Sequence, residues 1–573
     1  MMDIDKLTKK KAVAIRLKQI RFYHFLFLLP FVFQAAFHYL MMVNSDGKPQ
    51  LTHNFQYKTA VPLHEDSLTE SSDGVGRIQV SNVSLQEDVD VFIGTGGHGH
   101  TFPGATQPFG MVQLSPDNGV IGYDWSSGYH YNSTQVIGFS HTHLSGTGIG
   151  ELMDLLLMPV ILDDEQNQER LSNKTLSELL EKTLIKPFPA PGYSEFDEGA
   201  LSNLMRSDID HKQETAAPGY YRVKLLKHGI DVELTATTYC GIHRYNHVGN
   251  KNEISVLVVD LSHAFFQGAA VGGEIKILSD QKSLSGFRKT SGWAVQRSAY
   301  FYIQFSKPIL AYKIFKSSEK LLWSPCRLSG CQAAFLVFRN FENLQVRVGI
   351  SSADTRGAEK SVRQLHKKYG WDFDTIRESN ANLWQQKLGQ ITISQPRAKH
   401  ARKIFYTSLY HALLSPTIHS DTNKAYTGSD RKVHLVEKNR KMYSTFSLWD
   451  TFRAENSLHT ILHPSRARDM AISLIDYAKQ QDNILPVWNL AGQETHTMPG
   501  YHAASILAEA GKKNLLGKNE LMMAFRVMNA TARRVRSDKA FLDIIGYIPK
   551  DQTTESVTKT LEYAYDDWCI AQV

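Results

Sequence analysis

Residues 361–389, SVRQLHKKYGWDFDTIRESNANLWQQKLG, mark a change of period in the chain. Val362, Leu365, Trp371, Ile376, Leu383, Trp384 and Leu388 recur at helical spacing, which predicts linker helices. Upstream the pattern is short and β-branched. YYRVKLL (220–226), DVELTATTY (231–239), EISVLVVDL (253–261), GEIKILS (273–279), AYFYIQF (299–305) and AAFLVFR (333–339) are separated by turns rich in Gly, Asn or Asp. That spacing predicts an antiparallel β-sandwich, not alternating βαβ units. Downstream, HARKIFYTSLYHALLSP, SRARDMAISLIDYAKQQ, YHAASILAEAGKK and ELMMAFRVMNATARRV are helical. Helices joined by long loops that carry the polar residues predict a helical toroid with its site at one mouth. The boundaries that follow are 81–345 for the sandwich, 346–397 for the linker helices and 398–573 for the helical part.

The N-terminus differs from both. Of the formal charge of +7, residues 1–21 carry seven basic side chains against Asp3 and Asp5, and the rest of the chain is nearly neutral. A near-neutral body lacks the basic footprint that nucleic acid requires. The basic head runs into FYHFLFLLPFVFQAAF (22–37), which reads as a secretory signal or an uncleaved anchor over residues 1–42. The expected location is therefore exported, whether secreted, periplasmic or membrane-anchored, and this segment is the part that would contact a membrane. A polar linker, 43–80, follows. Four cysteines make no disulfide framework. Cys326 and Cys331 are close enough to pair in an oxidising compartment, and Cys240 and Cys569 look like core residues.

The chemistry concentrates in WNLAGQETHTMPGYH (488–502). Glu494 lies in a Gly-Gln-Glu-Thr turn before a helical pattern, with Trp488, His496 and His502 on either side. A carboxylic acid beside flat apolar walls suits glycosidic cleavage, in which the acid protonates the leaving oxygen while a ring stacks on the sugar. A solvated loop glutamate is the other reading of the same residues. SLWDTFR (447–453) sets Trp449, Asp450 and Arg453 within one turn, either as a hydroxyl-binding cluster or as a helix start with a structural ion pair. Trp125 is either a sugar platform or a core residue. GTGGHGHTFPGATQPFGMVQLSPD (94–117) lacks the lysine of a phosphate loop. His98 and His100, with His141 and His143, suggest zinc, but no acidic or cysteine ligand recurs near them at metal-site spacing. The glycines there are expected instead to let the loop approach another surface.

Together with GFSHTHLSGTG, APGYYRV, FYTSLYHALLSP and GYIP…ESVTKTLEYAYDDWCIA, these segments resemble glycoside hydrolase family 92, calcium-dependent, inverting, exo-acting α-mannosidases, from about Val89 to the last residue. The resemblance implies a sandwich joined by linker helices to an (α/α)6 barrel, with the site where they meet. It implies that Glu494 is the general acid and that Trp449 and Asp450 hold the terminal mannose. Arg453 belongs to the same cluster, and Trp125 and Glu555 would face the neighbouring sugar. It also implies Ca2+, with Gln493 and Glu562 as candidate ligands, and mannose-containing glycans, α-1,2-linked in the first instance, as substrates. One departure follows. The family's Gly-Asp-Asp-Asp-type segment, whose aspartates include the general base, has no match after Glu494, and Asp566 and Asp567 align with a different segment. Residues 398–573 are also too few for twelve helices, so the expected barrel is incomplete. The alternative function is a catalytically inactive, mannose-binding remnant.

Overall fold

The computed structural model describes residues 85–163, 204–249, 253–265, 269–316, 332–393, 399–437, 439–534 and 538–573. The signal or anchor segment, the linker 43–80, Cys326 and Cys331 lie outside them.

Two open antiparallel sheets form the N-terminal part. One orders its strands Ala105–Thr106, Gln113–Asp117, Gly138–Ser140, Leu156–Asp163, Glu253–Asp260, Gln332–Phe338 and Ala311–Lys316. The other runs Ala269–Ile277, Ser283–Ser291, Arg297–Phe305, Leu344–Ser351, Cys240–Asn246, Ile230–Ala236, Tyr220–Leu225 and Thr215–Ala217. Alternation decides what each face meets. In Leu344–Ser351, Val346, Val348 and Ile350 enter a core shared with Leu114, Leu157, Val256 and Leu336 of the other sheet. Arg347, between them, turns outward and lies 4.3 Å over the Trp371 ring.

Ten helices follow among the described residues: α1 Thr355–Tyr369, α2 Phe373–Leu388, α3 Lys399–Ala412, α4 Leu448–Thr451, α5 Glu455–Leu462, α6 Pro464–Lys479, α7 Ala503–Lys512, α8 Lys518–Arg533, α9 Lys539–Ile545 and α10 Ser556–Ile570. The first two are the linker helices, each started by an aspartate that accepts a backbone N–H in its first turn: Asp354 from Gly357 and Asp372 from Thr375. Ala358, Val362 and Leu365 of α1 and Phe373 and Ile376 of α2 pack on Cys240, Ile242 and Tyr302 of the second sheet. Farther along α2, the buried Trp384 indole donates to the Thr106 carbonyl at 2.9 Å, and Asn380 Nδ2 donates to the Ala236 carbonyl at 2.8 Å. Polar and apolar contacts together fasten this pair to the sheets. Cys240 and Cys569 are buried.

Where the sheets meet the helical part, Asp421 accepts a 2.5 Å hydrogen bond from the Ser351 hydroxyl, and its other oxygen is buried without a partner. Burial pushes its pKa up to about 7. Because the folded pKa is raised, the native state binds more protons than the unfolded state between about pH 4 and pH 7, and stability falls as pH rises through that window. At about 1.4 kcal/mol per unit, incompletely realised, the cost above pH 7 is on the order of 2 kcal/mol. Asp421→Asn keeps an acceptor for Ser351 and removes the charge. Its melting temperature is expected to exceed the parent's at pH 8 and to match it near pH 4.5. An equal difference at both pH values would show that the buried charge is not the cause.

Candidate active site

Glu494 sits in a two-residue hairpin that pairs Asn489–Leu490 with Gln493–Glu494. The turn is Ala491 (φ 48°) and Gly492 (φ 85°), the left-handed pair that a tight hairpin of this twist requires. A Cβ at Gly492 would also stand 2.8 Å from the Thr427 carbonyl oxygen. Ser444 secures the hairpin from below: its hydroxyl donates to Asn489 Oδ1 at 2.6 Å and accepts from the Gly492 N–H at 2.9 Å.

This geometry turns the Glu494 carboxylate back over the strand before it. One oxygen accepts from the Val487 N–H at 2.7 Å, and the other accepts from Trp488 at 3.3 Å and His496 at 2.5 Å. The side chain is only 7% exposed. Burial raises its pKa and outweighs the three N–H groups and nearby His496, which act in the opposite direction. A carboxyl that holds its proton above the usual range, fixed by backbone groups, can serve as a proton donor.

The two motifs singled out downstream of the sheets come together through one relay. The buried Trp488 indole donates to Ser447 Oγ at 3.0 Å, and Ser447 in turn donates to Asp450. Asp450 and Trp488 line a cleft of about 420 Å3 with Gly146 and Thr147 of the sheet domain and His411 and Glu455 of the helical part. The Trp449 indole N–H is buried with no partner. Arg453 does not pair with Asp450. It reaches Glu562 Oε1 at 2.9 Å, which replaces the expected ion pair within the motif by one between α10 and the second residue after α4. A larger cleft, about 570 Å3, lies between residues 237–240 and the linker helices, and no carboxylate lines it; Asp450 and Glu455 line the smaller one, which Glu494 does not line itself but adjoins through the Trp488 N–H that it accepts.

The sheet domain supplies a wall that sequence reasoning missed. Trp293, in the turn between Ser283–Ser291 and Arg297–Phe305, places its ring 4.5 Å from Trp488 and donates its indole N–H to Thr497 at 2.5 Å. Glu151 accepts the Trp293 backbone N–H at 3.0 Å; it is buried, its pKa is raised by burial, and its second oxygen has no partner. An aromatic residue exposed by sequence in a hairpin turn was the available signal.

Other expected residues lie elsewhere. Trp125 is half-buried in the turn Tyr123–Trp125, with its indole donating to Ser133 at 2.8 Å. It does not line the cleft. Glu555 is exposed immediately before α10, in a left-handed conformation. His141 and His143 are committed inside the sheet domain, His141 to His243 Nε2 at 3.0 Å and to the Leu155 carbonyl, His143 to Asp117 at 3.1 Å. They are therefore separated from any zinc grouping with His98 and His100.

The candidate calcium ligands differ in fit. Gln493 uses its amide nitrogen on the Gly428 carbonyl at 3.3 Å and keeps its oxygen as a hard donor. Glu562 does not fit as it stands, because Arg453 and His502 Nε2 (3.4 Å) already hold its two oxygens.

Residues 357–573 match the family model described as the glycosyl hydrolase family 92 catalytic domain, and residues 88–183 and 181–351 match that family's N-terminal domain. A family GH92 α-mannosidase from Bacteroides thetaiotaomicron, solved in complex with mannoimidazole, has a TM-score of 0.73 and 30% identity, covering 85% of this chain and 61% of that one. A GH92 inverting mannosidase from the same organism has a TM-score of 0.67 and 23% identity over 86% of this chain and 62% of its own, a likeness of fold. A curated protein from Arthroderma benhamiae, described as an uncharacterized secreted glycosidase, is 24% identical over 538 residues, 86% of this chain and 61% of its own length. The chain spans about three fifths of the length of these relatives.

Proposed function

The chain belongs to glycosyl hydrolase family 92, and from that premise we propose that it is an α-mannosidase that removes terminal α-linked mannose, α-1,2-linked in the first instance, from glycans by single displacement with inversion. The observation that carries this reading is the buried Glu494 carboxyl, its pKa raised by burial, set against Trp488, which lines the cleft bearing Asp450. Glu494 donates its proton to the departing oxygen as the glycosidic bond breaks. Asp450 and Trp449 grip the terminal sugar's hydroxyls, with the unpartnered Trp449 N–H as one donor. Trp125 and Glu555 would serve the neighbouring sugar. Bound Ca2+ would engage ring hydroxyls and favour a distorted ring; Gln493 would contribute to holding it, and Glu562 only after releasing Arg453. The helices from α3 onward would form part of an (α/α)6 barrel.

Inversion gives the proposal a direct test. An α-mannobiose must release β-mannose first, visible in the anomeric proton spectrum before mutarotation. Initial release of α-mannose would overturn the inverting mechanism, and release of no mannose from any α-mannobiose by a form extended to its relatives' length would overturn the substrate class.

A second reading applies to residues 1–573 taken alone: a polypeptide that binds mannose without hydrolysing it. The acidic pair of α10 favours it, because Asp566 accepts from the Tyr501 N–H and Asp567 is held by the Tyr501 hydroxyl and Lys539. Export is also part of the proposal, from the basic head and apolar run of residues 6–37; among the described residues no helix is long and apolar enough to cross a membrane. Protease treatment of intact cells is expected to find the protein outside the cytoplasm. A soluble cytoplasmic pool of full-length chain would count against export.

A further inference from the structure

Among the described residues, one group of three His, Cys, Asp or Glu side chains brings its ligand atoms within 4.8 Å of one another: His98, His100 and Asp124. It lies outside the machinery assigned above. His98 and His100 come from the glycine-rich loop, Asp124 from the turn that carries Trp125. The acidic partner absent from the neighbourhood in sequence is thus supplied by the fold.

Three observations set this group apart from an ordinary surface pair. His100 is only 5% exposed, yet its Nε2 has no hydrogen-bond partner. The ring packs edge-on against the Tyr123 ring, with centroids 4.5 Å apart and planes at 87°, which fixes the imidazole's orientation. Finally, the loop is braced against itself. A Cβ at Gly99 would fall 2.1 Å from the Gly94 carbonyl oxygen, so the backbones touch there, and His100 is held at φ 53°. Left-handed backbone at a non-glycine residue persists where surrounding structure enforces it.

We propose that His98, His100 and Asp124 form a Zn2+ site, distinct from the family's calcium. Two imidazoles and a carboxylate suit a borderline-soft first-row cation, whereas Ca2+ prefers oxygen alone. His98 Nδ1 now stands 2.5 Å from Asp124 Oδ1. Ligands at about 2.0–2.2 Å from a tetrahedral zinc are roughly 3.4 Å apart, so the pair must open by less than about 1 Å. Both side chains retain solvent access, 76% for His98 and 32% for Asp124, and can move that far. His100, buried, is the fixed ligand. The remaining coordination position faces solvent and takes water or a ligand oxygen. The ion ties loop 94–101 to the turn bearing Trp125. It also braces the cleft wall, because Gly146 N–H donates to the His100 carbonyl at 2.7 Å and Gly146 lines the cleft.

The test is Zn2+ binding by the full chain, stripped with chelator and titrated against a chromophoric competitor, with Ca2+ in excess. One equivalent per chain is expected. Asp124→Asn and His98→Ala, both at solvent-accessible side chains, should each weaken it at least tenfold while circular dichroism and metal-free melting stay unchanged. Co2+ should give a visible d–d spectrum that both variants lose. Absence of a stoichiometric site in the parent, or undiminished binding in both variants, would overturn the assignment.

Discussion

Replacing Glu494 by Gln is expected to lower hydrolysis of an unactivated mannobiose by about 10²–10⁴-fold, the usual value of general-acid assistance. The parent for this comparison is a polypeptide that carries the sequence through the length of its α-mannosidase relatives. The geometry makes the substitution more than a deprotonation. Both carboxylate oxygens accept backbone N–H groups, from Val487 on one side and from Trp488 and His496 on the other. A glutamine must set its own NH2 against one of those donors, which costs about 1–3 kcal/mol of local stability. Loss of activity alone therefore does not separate chemistry from a shifted hairpin. The leaving group does. The phenolate of an aryl mannoside with a very acidic phenol departs without a proton, so the variant should retain most of its turnover there while losing the disaccharide. Equal loss on both substrates would show that Glu494 positions the hairpin and is not the acid.

Much of the architecture was legible because it is local. The 3.6-residue recurrence through 361–389 marks helices whose apolar side rests on the sheet, and Phe373, Ile376, Trp384 and Leu388 are all buried. The strand Leu156–Asp163 was not legible, because Pro159 argues against a strand interior. It is tolerated because its neighbour Gly138–Ser140 meets it only at Phe139–Leu157, so the absent N–H removes no ladder bond on that side. The glycine-rich loop was expected to approach another surface; its closest approach is to itself, Gly99 on Gly94. The site was legible residue by residue but not as an assembly. Glu494 and Asp450 stand in motifs readable alone, whereas Trp293 on Trp488, Arg453 on Glu562 and Asp124 beside His98 join segments from 26 to more than a hundred residues apart. No periodicity encodes such pairs. They follow from the two sheets and the helical part closing on one another.

Residues 1–573 assayed alone are expected to show no measurable turnover of α-mannobioses, even with calcium, and to self-associate. Inversion requires a second carboxylate to activate water on the opposite ring face, about 6.5–9.5 Å from the acid. The obvious acidic pair near the end of the chain is already committed. Asp566 is buried and accepts from the Tyr501 N–H at 2.6 Å beside His502 Nδ1 at 2.9 Å, and Asp567 accepts from the Tyr501 hydroxyl and pairs with Lys539 at 3.2 Å. These contacts anchor α10 to the start of α7, occupy both oxygens of Asp567, and leave Asp566 only an Oδ1 buried against His502. Association follows from the surface of the same helices. Ile544 is 80% exposed and Val557 73%, with Met522, Phe525, Ile545, Tyr547 and Leu561 also open to solvent. Val557 and Leu561 are one turn apart on α10, an apolar stripe of the kind that packs against another helix. Size-exclusion chromatography beside calcium-supplemented hydrolysis provides the measurement. A well-behaved monomer with ordinary turnover would mean that a carboxylate within these residues serves as the base. Glu151, buried behind Trp293 with an unpartnered oxygen, would then be the first to replace.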